Sequence, residues 1–299
     1  MNNDAFPDIP LEAWRPTKNT LHLYCQIVGK IRLAMHPRMN HWWHVPLYVT
    51  PRGLSTRTIP YADGNFEIEL DFGAHVLRIS TSGKRVEDFA LYDGLTVADF
   101  YSSLMANLEK LGIKPNIKTV PYETPSTTPF SEDVENSSYD KEYVERFHRT
   151  LVTVDHILNE FRGRFYGKST PVHMFWHSFD LALTRFSGKR VPPRKGAGIV
   201  EREAYSHEVI SFGFWFGDDR VPAPAFYSYT APEPIGLTEE PLSPDSAKWA
   251  ESNGAHLALL MYEDVRSSEN ARETVLGFLE AAYQAGAKKA GWETDELAH

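Results

Sequence analysis

The histidines are where chemistry would first be sought in this chain. His36, His41 and His44 fall close together, His173 and His177 stand four residues apart, and His207 lies further along. Neutral imidazole ligates zinc, iron or nickel well. On a strand, residues four apart share a face, so His173 and His177 can point into one cavity. A metal centre, however, takes three or four ligands in a compact set, and neither a His-x-x-x-His on a clear helix nor a cysteine pair accompanies these. The plainer reading makes His41 a surface residue near a turn, and His44 and His177 hydrogen-bonded and partly buried. No metal ligand is assigned.

Two aromatic-Trp-His triplets, Trp42-Trp43-His44 and Phe175-Trp176-His177, each open a strand-like run. An indole offers a broad apolar face and one N–H donor, and its neighbour on a strand points to the opposite side. One member of each pair is therefore expected in the core and the other outward or in a cleft. Each triplet follows an apolar-x-Gly-basic-apolar string, Ile27-Val28-Gly29-Lys30-Ile31 and Phe161-Arg162-Gly163-Arg164-Phe165. Glycine within a helix costs about 1 kcal/mol relative to alanine, so its presence at both places calls for close approach of another backbone. Lys30 and Arg164 can then meet a carboxylate or phosphate at a cleft, or simply snorkel as surface cations.

Asp180 is a carboxylate amid Phe179, Leu181, Leu183 and Phe186. It shares a strand face with Ala182 and Thr184, not with Arg185, and if buried it needs a partner. Tyr227 and Tyr229 share one strand face, and can offer two phenols to a ligand or pack as a cross-strand ladder. No phosphate-binding glycine loop and no Gly-x-Ser-x-Gly elbow is present, so no serine hydrolase is indicated.

These residues need elements to hold them. Leu21, Tyr24, Ile27, Val28, Ile31 and Met35 recur at helical steps, with Thr17 or Thr20 to cap the start and Pro37 to stop it. Strand-like runs follow at 43–50, 55–60, 65–72 and 75–80. Phe66, Ile68, Leu70 and Phe72 alternate with Glu67, Glu69 and Asp71, which predicts one wet face. Ala62-Asp63-Gly64-Asn65 and Phe72-Gly73-Ala74 supply turns between strands. Thr96 caps a helix carrying Val97, Phe100, Leu104 and Leu108 and ending at Gly112. The polar stretch 121–138, with Pro121, Pro125 and Pro129, reads as a linker wrapping the surface.

The second half repeats the order. Tyr143, Phe147, Leu151, Val154, Ile157, Leu158, Phe161 and Phe165 form a long helical stripe, and strand-like runs lie at 175–186, 209–216, 225–230 and 256–262. A final helix carries Val275, Phe278, Leu279 and Tyr283 and is expected to break at Gly286. Insertions rich in turn formers fall at 189–205 and 232–254. The expected fold is α+β: two pseudo-repeated units, each helix–four antiparallel strands–helix, at 1–120 and 141–299 with a linker at 121–140. An ancestral duplication explains that order, and the units are expected to join as one sheet or as stacked layers.

A net charge of −9 disfavours nucleic acid and anionic membrane as partners. The one basic cluster, at 189–195, is followed by Glu201 and Glu203 and reads as a solvated loop. A single cysteine, Cys25, rules out an internal disulfide and fits a reducing compartment; its apolar helical setting predicts a buried thiol. Residues 1–10, with Asp4 and Asp8, read as no secretory signal, and no apolar run is long enough to span a bilayer. The expected location is cytoplasmic.

Several long strings resemble a family of bacterial proteins known only as domain of unknown function 5996. They are Leu21-His22-Leu23-Tyr24-Cys25-Gln26-Ile27-Val28-Gly29-Lys30, Asn40-His41-Trp42-Trp43-His44-Val45-Pro46-Leu47-Tyr48, Phe175-Trp176-His177-Ser178-Phe179-Asp180-Leu181, Glu208-Val209-Ile210-Ser211-Phe212-Gly213-Phe214-Trp215 and Pro224-Ala225-Phe226-Tyr227-Ser228-Tyr229-Thr230. The resemblance runs over nearly the whole chain and implies no reaction, cofactor or site residue.

The residues leave three functional readings open. The first is a binding protein, or an enzyme of unassigned reaction, holding a small-molecule ligand in an aromatic cleft between the halves. Trp43, His44, Trp176 and His177 would line it, with Asp180 close by. Lys30 or Arg164 would meet an anionic end, and Tyr227 or Tyr229 would donate hydrogen bonds. The second is a metal-dependent hydrolase or oxygenase using the histidines, and the third a scaffold without a cleft that engages another protein.

Overall fold

Helix α1 (Leu11–Met35) is the hub of the computed structural model, which describes residues 5–62, 64–124 and 126–297. Asp63 and Pro125, assigned above to a turn and to the linker, lie outside the described residues, as do residues 1–4 and 298–299. Between Leu21 and Arg32 every residue of α1 except His22 is buried, as expected of a helix that is apolar nearly all round. The helix starts ten residues before Leu21, not at Thr17 or Thr20. Leu11 and Trp14 extend the buried stripe, Pro16 is accommodated inside it, and Thr20 spends its hydroxyl on the Pro16 carbonyl at 3.1 Å.

Three buried polar side chains of α1 each tie down a loop. Gln26 donates to the Tyr122 carbonyl at 2.7 Å and accepts from the Tyr122 N–H at 2.8 Å. Lys30 donates to the Val120 carbonyl at 2.7 Å, and Arg32 to the Thr56 carbonyl. The linker is thus held at its start by α1, and Phe130, in a short 3-10 turn (Phe130–Glu132), plugs it into the core.

The first sheet contains β1 (Tyr48–Val49), β2 (Gly53–Ser55), β3 (Ile59–Tyr61), β4 (Gly64–Asp71), β5 (Val76–Thr81) and β6 (Val86–Ala90). It is antiparallel in the order β1-β2-β4-β5-β6, with β3 also on β4. Phe66, Ile68 and Leu70 face the core as expected, but the other face of β4 is not simply wet. Glu69 and Asp71 are buried, because Arg52 donates to Glu69 at 2.6 and 2.9 Å and Arg78 to Asp71 at 3.3 Å. Helix α2 (Val97–Lys110) follows, capped by Thr96 accepting from the Asp99 N–H.

Helix α3 (Lys141–Gly163) opens the second half, its first turn capped by Asp140. After it come β7 (His173–Phe175), β8 (Asp180–Arg190), the short α4 (Ile199–Ala204), β9 (His207–Trp215), β10 (Ala225–Ala231), β11 (Lys248–Ser252), β12 (Ala255–Met261), α5 (Tyr262–Arg266), α6 (Ala271–Ala290) and α7 (Thr294–Leu297). The strands form a second six-stranded antiparallel sheet, β11-β12-β10-β9-β8-β7. Helix, antiparallel sheet, helix therefore occurs twice, with six strands per sheet where four were expected. The extra strands are short ones, and β11 lies inside the 232–254 stretch expected to be a turn-rich insertion.

Helix α6 does not break at Gly286. It runs to Ala290 and ends on Gly291, which takes the left-handed conformation. Gly286 is where α6 presses on the second sheet: a side chain there would run into Thr230 and Ile210. The two sheets meet at one antiparallel bridge, in which Leu47 N–H donates to the Met174 carbonyl at 2.9 Å and Met174 N–H to the Leu47 carbonyl at 2.8 Å. α1 and α3 pack together, and α3 touches both β1 and β8, so it covers that seam. Among the described residues no helix is long and apolar enough to cross a membrane.

Candidate functional site

Continuing the antiparallel register from Leu47 and Met174 sets Tyr48 opposite His173 at the seam. A cavity of about 320 Å³ opens beside them, lined by Tyr48 and Val49 of β1, Arg57 before β3, Asp155, Asn159 and Arg162 of α3, and Pro171 and Val172 leading into β7. The three α3 residues stand at i, i+4 and i+7, which puts them on one helical face. Arg57, with φ 52°, lays its guanidinium over the Tyr48 ring, 3.6 Å from the centroid. Arg162 spends its Nε on Ser169 Oγ at 3.2 Å. Among the described residues neither arginine has a carboxylate within 4 Å.

The one acid in the lining is Asp155, which accepts from Asn159 Nδ2 at 3.0 Å. Burial pushes its carboxyl above the ordinary value, against the pull of His156, Asn159 and Arg57. Behind Tyr48 lies buried Arg32, 5.5 Å from the ring centroid, whose Nε has no partner among the described residues. His173 is fully buried, its ring 6.3 Å from that of Tyr48, and among the described residues neither of its nitrogens has a partner. Burial, helped by the charges of Arg32 and Arg57, pushes it down to about 3, so it is neutral near pH 7. The surroundings of the cavity are therefore net positive, and suit an anion.

The residues expected from sequence fall elsewhere. Trp176 is buried and donates its indole N–H to the Val45 carbonyl at 3.1 Å. Gly29 makes this seat possible, since any side chain there would overlap the indole. The close approach expected at Gly29 is thus made by a side chain, not by a backbone. Gly163 has no such role: it ends α3 with open space around it, and Arg164 pairs with Glu160 at 2.8 Å on the surface. Lys30, held by Val120, is buried and does not line the cavity at the seam.

Neither triplet opens a strand. Trp42-Trp43-His44 runs from a 3-10 turn (Asn40–Trp42), and Trp176-His177 lies in the turn between β7 and β8. His44 is buried, stacked on Trp42, and its Nδ1 accepts from the Met39 N–H at 3.2 Å. His177 is half-exposed and pairs with Glu123 at 2.8 Å. The two Trp-His pairs do not line the cavity at the seam.

Asp180, Tyr227 and Tyr229 are brought together. Across β8, β9 and β10, Asp180 is opposite Trp215, Tyr227 opposite Gly213 and Tyr229 opposite Ser211, so all share one sheet face. Gly213 leaves room for the Tyr227 phenol to cross β9, and there it donates to Asp180, which also accepts from Ser178. Burial raises Asp180 while these hydrogen bonds oppose it. Tyr229 shares a hydrogen bond with Tyr205 at 3.1 Å. Arg185, on the opposite face, is no partner of Asp180; it donates to the Phe161 carbonyl at 2.5 Å among Phe161, Phe165 and Tyr283. At the far end of the Asp180 face, Phe186 meets Trp43, Lys168 and His41.

A larger open groove of about 580 Å³ lies between 240–243 and the end of α6, but its charged groups, Glu240 and Lys288, are already paired at 2.8 Å. No group of three or more His, Cys, Asp or Glu is placed to hold a metal ion among the described residues. Cys25 is free and buried, and burial raises its thiol.

Residues 6–299 match the model of a family of unknown function, DUF5996, and the chain belongs to that family. No curated protein and no solved structure matches it.

Proposed function

We propose that this member of the DUF5996 family binds a small organic anion, a carboxylate or phosphate compound, in the cavity at the seam of its two sheets. What supports the reading is the pairing of Arg57 and Arg162, each without an acidic partner among the described residues, in one concave site with a single carboxylate. Guanidinium groups left unpaired at a cavity are built for bidentate contact with carboxylate or phosphate oxygens. The volume, about 320 Å³, is at the lower end for ligand pockets and fits a molecule of organic-acid size. Asn159 holds the Asp155 carboxylate by its amide, and Tyr48 adds one apolar wall.

We take the repeated helix–sheet–helix order as the trace of a duplication, with halves at 1–120 and 141–299, so that the ligand would lie between the repeats. With one buried thiol, a reducing cytoplasmic setting suits the chain.

Thermal unfolding in the presence of phosphate, citrate, malonate and a nucleoside monophosphate tests the proposal. A ligand at about a hundred times its dissociation constant stabilises the fold by about 2.7 kcal/mol. The expected result is a rise in Tm with at least one of these anions that Arg57→Gln and Arg162→Gln each abolish. Equal rises in wild type and both variants, or none with any anion, would overturn it.

A further inference from the structure

On the opposite sheet face from the core, a lysine, a histidine and a carbonyl stand in line. His41 occupies the 3-10 turn Asn40–Trp42, where His41 and Trp42 both take left-handed backbone, with φ 53° and 61°. For residues with a Cβ this costs roughly 1–2 kcal/mol each, and what it achieves is the placement of the imidazole. Nδ1 of His41 lies 3.0 Å from the Glu203 carbonyl, which can only accept, so Nδ1 carries the proton. Nε2 is then a lone-pair acceptor, and Lys168 Nζ lies 3.0 Å from it.

Among the described residues no carboxylate lies within 4 Å of Nζ; one oxygen of the Glu203 carboxylate pairs with Arg38 and the other is buried without a partner. Nζ stands 5.3 Å from the centroid of Trp43 and 5.2 Å from that of Phe186. Lys168 remains exposed, so the amine is reachable from solvent. Nucleophile, base and orienting acceptor within hydrogen-bond reach of one another is the arrangement of an activated nucleophile.

We propose that Lys168 is an amine nucleophile that forms an imine with a carbonyl compound, His41 being its proton acceptor and the Glu203 carbonyl holding His41 in the required tautomer. Once the lysine has lost its ammonium proton to solvent, the neutral amine adds to the carbonyl carbon, forming the C–N bond as the C=O π electrons move to oxygen, and that oxygen takes a proton from solvent to become a hydroxyl. His41 Nε2 takes one proton from the adding nitrogen, leaving a neutral carbinolamine. His41 then returns that proton to the hydroxyl, which leaves as water while the nitrogen lone pair makes the C=N bond of the iminium. No oxidant or reductant is consumed.

The setting suits both ends of this step. Burial first, and then the charge of Lys168, holds the His41 imidazole below its usual range, so it is neutral and able to accept. The product is an iminium cation between the faces of Trp43 and Phe186, where the ring electrons stabilise it as they do the ammonium. Burial and the charges of Lys168 and Arg190 hold His207, 5.5 Å from His41 ring to ring, below its usual range, so it is Arg190, opposite His207 across β8 and β9, that adds positive charge here. A carbonyl compound that also bears a carboxylate, a 2-oxo acid, is the favoured class.

Glyoxylate with cyanoborohydride, which traps an imine as a stable secondary amine, makes the test, with peptide mapping by mass spectrometry. Lys168 is expected to be modified at least tenfold faster than Lys114, whose side chain is 75 % exposed. His41→Gln is expected to lower the rate at Lys168 by about a hundredfold, the low end of what a positioned base contributes, while leaving Lys114 unchanged. Equal rates at Lys168 and Lys114 in the wild-type chain, which needs no variant to fold, would overturn the proposal. So would an unaltered Lys168 rate in a folded His41→Gln protein.

Discussion

Acid should weaken this fold through His173, and the effect can be isolated. The residue is fully buried with no hydrogen-bond partner at either nitrogen among the described residues, and its folded value is about 3 against an ordinary 6.5. Because the folded value is depressed, the unfolded chain binds the proton first as the pH falls. The contribution is intact above about pH 6.5 and is lost progressively toward pH 3, at about 1.4 kcal/mol per unit. At pH 5 the unfolded imidazole is almost wholly charged and the folded one neutral, which costs about 2 kcal/mol; at pH 8 the cost is close to zero. His173→Phe keeps a flat ring against Tyr48 and Phe175 and removes the titration. The assay is urea unfolding of both proteins at pH 5 and pH 8. Any change in packing enters at both pH values and cancels, as do the other histidines. The variant is expected to gain about 2 kcal/mol on wild type at pH 5 relative to pH 8. A difference indistinguishable between the two pH values would refute the claim that His173 is buried and neutral.

The same reasoning gives further expectations. Gly29→Ala gains helix propensity yet drives a methyl into the Trp176 indole, so a net loss of about 1–3 kcal/mol is expected in denaturant unfolding, with a changed tryptophan emission; an unchanged or raised stability would show that the indole moves aside freely. Gln26→Leu strips two hydrogen bonds from the Tyr122 backbone. Limited trypsin digestion should then cut at exposed Lys118 about tenfold faster than in wild type, with a loss of about 1–3 kcal/mol in global stability. An identical digestion pattern would mean that Lys30 and Phe130 alone hold the segment.

Long periodic stripes were legible because burial dictates them. The face of α3, the Thr96 cap of α2 and the Phe66, Ile68, Leu70 alternation are all read correctly from residue type. What misled was local chemistry with a tertiary solution. Thr17 and Thr20 look like caps, but Trp14 and Leu11 bury enough apolar surface for the helix to begin earlier and run through Pro16. Glu69 and Asp71 look solvated, and only Arg52 and Arg78, from other strands or turns, make their burial tolerable. The turn leading into Trp42-Trp43-His44 has no Gly or Asn at its left-handed positions, which are His41 and Trp42.

Of the expected site residues, Asp180, Tyr227 and Tyr229 do converge, since strand parity alone aligns them once the register is set. The cavity was invisible for the opposite reason. Tyr48, Arg57, Asp155, Arg162 and Val172 come from separate segments, and no short motif links them. One partial signal was present: Asp155, Asn159 and Arg162 put polar groups on a single side of an otherwise apolar helix.

Among the described residues only a pair of backbone hydrogen bonds, Leu47 with Met174, carries β-pairing across the seam described above. The cavity lies against that joint, so a molecule gripped at once by Arg57 from one side and Arg162 from the other would brace it, and by linkage any motion that opens the joint would weaken the molecule's hold. The Leu47 and Met174 amides are therefore built-in reporters: their hydrogen exchange should slow when the cavity fills, in proportion to how firmly the occupant fixes the angle between the sheets.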